Sequence, residues 1–137
     1  MKHEVTIISD DCRIEVGNKV TLAGIYDEAI IFRNLPTRLL KLSFYQRWSE
    51  FPIAEKIIIL IRGSAIGNLE LRSEVKPPSS APKKPSPARI IFSIGPIDFL
   101  NEGTLEFQTF LNDEPNPQHT HQLSIRTDPN LKFDGVG

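Results

Sequence analysis

Two alternating arms separated by Gly17-Asn18 constrain this chain more than any other feature. The stretch from Val5 to Tyr26 reads VTIISDDCRIEVGNKVTLAGIY, with apolar residues recurring in twos along both arms. A period of two around a Gly-Asn tip is the pattern of a β-hairpin. Register follows from the tip. A two-residue turn would pair Glu15 with Val20 and Arg13 with Leu22, mixing polar and apolar residues on each face. A loop of Val16-Gly17-Asn18 pairs Ile14 with Val20, Cys12 with Leu22 and Glu15 with Lys19; a loop of Gly17 to Lys19 pairs Val16 with Val20 and Ile14 with Leu22. Both longer loops keep one face apolar, and a slip of one residue does not. The first is preferred, because Asn18 tolerates the left-handed conformation on which such loops end.

The remaining segments read as partners for this hairpin. Ala29 to Phe32 is a short apolar run that extends the second arm, and Pro36 ends it. From Leu40 to Trp48 two periods compete. Leu40, Leu42, Phe44 and Trp48 alternate with Lys41, Ser43, Tyr45 and Arg47, while Leu40, Phe44, Trp48 and Phe51 also fit a helical spacing. The aromatic content and the β-type neighbours favour the strand, with a corner at Phe51-Pro52. Lys56 to Arg62 is the strongest strand, since four isoleucines in the five positions Ile57 to Ile61 suit a pleated surface and disfavour a helix. Gly63 to Gly67 is a turn. Asn68 to Lys76 follows as a strand with Leu69, Leu71 and Ser73 inward. Arg89 to Ile94, Ile97 to Phe99, Leu105 to Leu111 and His119 to Arg126 complete the set, broken by Gly95-Pro96, Asn101 to Gly103 and Asn112 to Pro117. About eight strands, with turn residues between them and no convincing helix, predict an all-β fold. The expected form is an antiparallel two-layer β-sandwich of immunoglobulin-like or related topology.

A chain of 137 residues suits one domain, predicted over residues 1–127, with 128–137 as a frayed tail. The compositional break is residues 77–87, PPSSAPKKPSP, where five prolines in eleven residues cannot supply ladder hydrogen bonds. A flexible loop within the domain is the expectation. The sharper alternative, a docking motif, rests on the PxxP spacing of Pro82 and Pro85 with Lys83, Lys84 and Arg89 nearby. Sixteen basic residues against seventeen acidic ones leave no electrostatic footprint for nucleic acid or an anionic membrane. The single cysteine, Cys12, fits a reducing compartment, and the acidic N-terminal stretch lacks the apolar core of a signal peptide. The longest apolar run, Ile57 to Ile61, is five residues, far short of a membrane span. A cytoplasmic location is the expectation.

Few residues could carry chemistry. His119 and His121 form an H-x-H pair, a spacing that zinc or copper sites use, but such sites need a third and usually a fourth ligand. His3, Asp10, Asp11 and Cys12 are the only candidates for the shortfall, and no spacing places them nearby. The expectation is two exposed imidazoles near a polar turn, with no metal and no cofactor. Asp10-Asp11 could form a carboxylate pair, yet adjacent strand residues point to opposite faces, so a bulge or a polar strand edge is expected. Cys12 as a nucleophile needs a histidine beside it; at its alternating position it reads as a small core residue. Phe44, Tyr45 and Trp48 could build a sugar-stacking platform, but the core claims Phe44 and Trp48, leaving Tyr45 alone. No phosphate-binding, dinucleotide-binding or nucleophile-elbow pattern is present. An enzyme is not expected.

The positions Asp10, Asp11, Arg13, Glu15, Gly17, Lys19, Leu22, Gly24 and Tyr26 spell D-D-x-R-x-E-x-G-x-K-x-x-L-x-G-x-Y. With the LLKLSFYQRW strand after Leu35-Pro36, this resembles a family of small bacterial single-domain proteins of unknown function. The likeness covers about the first fifty residues, and the proline-rich segment departs from it. It implies an intracellular β-sandwich and supplies no catalytic residue. The functional expectation is a non-catalytic binding or scaffolding module; the alternative is a small-ligand module for carbohydrate or metal. Ile57 to Ile61 bears on this directly, because a strand in a two-layer sandwich normally shows water one face. Here Ile57, Ile59 and Ile61 lie on one side and Ile58 and Leu60 on the other. The second face is therefore covered either by another part of the chain or by a partner, as in a homodimer. Ile58 and Leu60 are the expected interaction face.

Overall fold

Tight-turn chemistry at the hairpin tip fixes the first pairing of the sheet. In a computed structural model, which describes residues 2–51, 56–75 and 86–131, strand β1 spans Lys2–Glu15 and β2 spans Lys19–Tyr26. They pair Cys12 with Leu22, Ile14 with Val20 and Glu15 with Lys19, the register predicted from a Val16-Gly17-Asn18 loop. Gly17 and Asn18 both adopt positive φ, 83° and 61°, which glycine and asparagine tolerate best.

Eleven strands form among the described residues, with one 3₁₀ turn at Ser64–Ile66. After β1 and β2 come β3 (Ala29–Phe32), β4 (Thr37–Leu39), β5 (Leu42–Phe51) and β6 (Ile57–Arg62). The rest are β7 (Leu71–Val75), β8 (Ser86–Ile94), β9 (Ile97–Phe99), β10 (Gly103–Leu111) and β11 (His119–Thr127). A four-stranded sheet has the order β2-β1-β5-β8, and a five-stranded sheet the order β3-β11-β10-β6-β7. A two-stranded β4-β9 ribbon completes the molecule. The excess over eight strands has clear origins. Ala29–Phe32 does not extend β2; it crosses to the other sheet and lies parallel to β11. Thr37–Leu39 and Ile97–Phe99 leave both main sheets to pair with each other.

The two sheets meet in one core. Ile8, Phe44 and Trp48 from the first pack with Ile59, Ile61, Leu105, Phe107 and Leu123 from the second. Phe44 and Phe107 approach to 5.9 Å between ring centroids. Leu42–Phe51 is a strand, which resolves the competing helical period. Leu40 departs from the expected core face: it lies in the turn before β5 and is 77% exposed. Leu69 is likewise exposed, because β7 begins only at Leu71. Residues 77–85 of the proline-rich segment lie outside the described residues, and β8 starts at Ser86 rather than Arg89. At the other end, Asp128 donates its amide to Phe32 O (2.8 Å), and Arg33 Nε donates to Leu131 O (2.9 Å). Residues 132–137 lie outside the described residues.

The hairpin does not project in line with β1. Val5 pairs with Arg47, and Arg47 pairs with Arg89, so these three residues lie level across the sheet. Asn18, thirteen residues beyond Val5, would stand about 40 Å away on a straight strand. Instead Arg89 donates to both the Asn18 carbonyl (3.2 Å) and the Asn18 side-chain oxygen. The hairpin therefore folds back over the outer face of the four-stranded sheet. That outer face is accordingly buried at Ser43 and Tyr45, the latter only 9% exposed. The fold-back starts at Asp10 and Gly24. Gly24 has φ +69°, and a Cβ there would lie 2.3 Å from Asp10 Oδ2. Tyr26 OH donates to Asp10 Oδ1 from the neighbouring position on β2. The Asp10-Asp11 pair carries no register shift between β1 and β2; the shifts in β1 fall at Lys2–His3 and His3–Val5, against β5.

Candidate functional site: a groove and a histidine seam

Strand β6 is apolar on both faces, as its sequence indicates. Ile57, Ile59 and Ile61 belong to the core. Ile58 and Leu60 occupy the outer face of the five-stranded sheet, where Ile58 opposes Phe110 on β10 and Glu74 on β7. Leu60 opposes Gln108 and Arg72. A groove of about 300 Å³ runs along this strip, lined by Ile58, Leu60 and Phe110 with Arg72, Asn112 and Asp113 at its rim. Charges of both signs border it: Lys56 Nζ lies 3.8 Å from Asp113, and Arg62 lies 3.9 Å from Glu70. Ile58 is only 4% exposed within the single chain, so Leu60 and Phe110, both half-buried, are the accessible part of the strip.

A second cluster lies where the sheets meet along one side. His3 pairs with Trp48 across β1 and β5, and its ring stacks on His119 at 3.5 Å between centroids, 15° apart in plane. Trp48 meets both rings edge-on, at 5.1 Å from His3 and 6.3 Å from His119. His121, two residues along β11, lies against Phe107 at 6.4 Å. All three histidines of the chain are thus neighbours. The bulge in β1 is what brings His3 there. Thr6 and Ile8 face the core opposite Gln46 and Phe44, and strict alternation would turn His3 to the outer face with Val5 and Ile7. The register shift between His3 and Val5 reverses that parity and aims His3 inward.

A polar chain ties this cluster to the core. Trp48 Nε1 donates to Gln46 Oε1 (2.9 Å), which also accepts from Thr109 Oγ1 on the opposite sheet (3.1 Å). Gln46 Nε2 donates to Thr6 Oγ1 (3.0 Å). With that acceptor position used, the Thr6 hydroxyl is free to donate to His3 Nε2 (2.7 Å). Burial is the main force on all three imidazoles and holds each below the ordinary histidine range. Each is lowered further by a neighbouring imidazole: His3 by His121, His119 by His3, and His121 by His119. His121 Nε2 is buried with no hydrogen-bond partner among the described residues.

The H-x-H pair is therefore not the exposed couple expected from sequence. Both rings face into the sandwich, and the third histidine is the one at the opposite end of the sequence. The His3 and His119 rings lie face to face, and among the described residues no group of three His, Cys, Asp or Glu is arranged to hold a metal ion. The other candidates scatter. Asp11 takes Lys41 (2.5 Å) and Arg13 (2.6 Å) as partners, which hold its carboxyl below the usual range, while Asp10 turns to Tyr26. Burial, then the Asp11 charge, pushes the Cys12 thiol up, away from nucleophilic thiolate. Tyr45, the residue left for a sugar platform, is covered. No spacing rule marks His3, because a bulge has no signature in so short a stretch.

Among the described residues, no helix is long and apolar enough to cross a membrane. No protein-family model matches the chain, and no curated protein or solved structure matches it.

Proposed function

We propose that the chain is a non-catalytic binding or scaffolding module, of immunoglobulin-like topology, that pairs with a second copy of itself through the outer face of the five-stranded sheet. The strip of Leu60, Phe110 and Ile58 carries this reading, since a sheet face that meets only water is normally polar at such positions. A second copy is the occupant favoured by the rim. Glu70, just before β7, and Arg72 and Glu74 on it alternate in sign beside the groove. Two such faces stacked about a twofold axis set Arg72 of each copy against acidic groups of the other, and twofold pairing is the commonest soluble assembly.

The topology supports the module reading. β1 lies on β5 in one sheet while β3 lies parallel to the last strand, β11, in the other, so the N-terminal part of the chain is shared between both sheets. The hairpin motif supports it as well. Asp10, Gly24 and Tyr26 lock the fold-back, and Asp11 engages Arg13 and Lys41, so these positions of the motif that resembles the bacterial family are occupied by structural contacts. A thiol pushed upward at Cys12 and carboxylates on opposite faces at Asp10 and Asp11 support a non-catalytic role. A balanced charge and a single cysteine fit a cytoplasmic partner of protein rather than of nucleic acid or membrane.

Leu60→Cys in a Cys12→Ser background tests the assembly. A short thiol cross-linker should yield a species at about twice the 15.5 kDa chain mass. Recovery of monomer alone, with the introduced thiol reactive to a monofunctional reagent, contradicts the pairing.

A further inference from the structure

We infer that His3, His119 and His121 form a pH-operated latch: as neutral rings they hold the N-terminal arm of β1 against β11, and on protonation they release it from the sandwich.

The arm is held from one side only. Between Lys2 and Ile7, β1 pairs with β5, while β2 joins its other edge only from Ile8 onward. On the facing sheet β3 joins β11 only from Ser124, so His119 to Leu123 also present an edge with no strand partner among the described residues. Among the described residues, these two edges are bridged by the His3–His119 stack, backed by Trp48. The register shifts on both sides of His3 interrupt the ladder that would otherwise hold the arm to β5. The seam is therefore a join made by side chains, the ring stack and the Thr6 hydroxyl, beside an interrupted ladder.

It is also the join most sensitive to protons. Two stacked neutral imidazoles attract as aromatic rings, whereas two imidazolium ions at 3.5 Å repel. The elements packed here carry Lys2 and Glu4 on β1, Arg47 and Glu50 on β5, Glu106 on β10 and Arg126 on β11. Glu4 is engaged by Arg47 at 2.8 Å, and among the described residues the only charged groups acting on the three rings are the rings themselves. None of the described carboxylates compensates a proton taken up at the seam. The sign is fixed by that environment. Each histidine titrates below its ordinary 6.5 when the seam is closed and recovers toward it when the seam opens. The open form thus binds more protons, so closure is complete above about pH 6.5 and is lost as pH falls below it.

Hydrogen exchange on the full chain between about pH 7.5 and pH 5, corrected for intrinsic rates, tests the latch. Protection of those Val5 to Ile7 amides that face β5, and of the Trp48 indole, should fall clearly as the pH is lowered. Protection at Ile59 and Phe107 should hold. Replacing His119 with Gln or with Phe removes one proton site, and in either variant the acid-induced loss should shrink to less than half. Unchanged protection in the wild type overturns the latch. So does a loss shared equally by Ile59 and Phe107, which is global acid unfolding. An acid response in the folded variants equal to the wild type overturns it too; if neither variant folds, the wild-type profile decides alone.

Discussion

At Gly24 the backbone adopts φ +69° and the space a Cβ would fill is taken by the Asp10 carboxylate. Gly24→Ala therefore meets both a strained backbone and a clash, and should cost about 1–3 kcal/mol in urea denaturation. Against an Asp10→Ala background, which removes the two closest contacts but keeps the Asp10 Cβ at 3.0 Å and the backbone strain, Gly24→Ala should cost less than in the wild type. No cost at all in that background would show that strain plays no part. Tyr26→Phe should cost about 1 kcal/mol, the net worth of one hydrogen bond. The same scale shows what single residues disclose in advance. Gly17 and Asn18 were legible because their backbone needs are intrinsic to their side chains. His3 was not, because its direction is set by a register shift that depends on how β1 meets β5. Acid stability follows from the imidazoles. Their folded values lie below 6.5, so the stability they contribute is present above that pH and declines as pH falls through the window beneath it. A thermal-melt series from about pH 8 to pH 5 should show the decline begin near pH 6.5, and His119→Gln should flatten it.

At the scale of elements, alternation located β1, β2, β5, β10 and β11, because burying one face against a layer produces a period of two, while the unbroken isoleucine run located β6. Alternation failed where an element's face is decided by something distant. Ser43 and Tyr45 lie on what would be a solvent face and are buried by the fold-back of the hairpin, a bend that rests on Gly24 rather than on any apolar pattern. Leu40 and Leu69 fit the period yet fall in turns, since a strand's ends depend on its partner's length. The folded-back hairpin carries its own prediction. Its tip is held by Arg89 and exposes Val16 almost fully, at 93%, with Ile14 also exposed. Arg89→Ala should loosen the tip without unfolding the sandwich, and the half-buried Cys12 reports on it. Its reaction with a thiol reagent should accelerate several-fold while the melting temperature changes by a few degrees at most. A Cys12 rate equal to wild type would show that other contacts hold the hairpin down.

For the whole molecule, the two faces of β6 carry different predictions. Ile59 is fully buried in the core, so Ile59→Ala should cost about 2–5 kcal/mol, as large-to-small changes in a packed interior do. Leu60 is half-buried on the outer face, and Leu60→Lys should leave the melting transition nearly in place. That β6 is apolar on both faces could be read from five consecutive residues, because an unbroken run on a strand places apolar side chains on two sides. That Ile58 is already covered within the chain could not be read from them, and it narrows the accessible strip to Leu60 and Phe110. The central claim is that this strip joins two copies of the chain. Sedimentation velocity across a wide concentration range tests it most directly, comparing the wild type with Leu60→Lys and with Phe110→Lys. The account predicts a concentration-dependent shift of the wild type toward about twice 15.5 kDa, and two folded variants that stay at the monomer mass. A wild type that remains monomeric throughout, or variants that dimerise as it does, would contradict it.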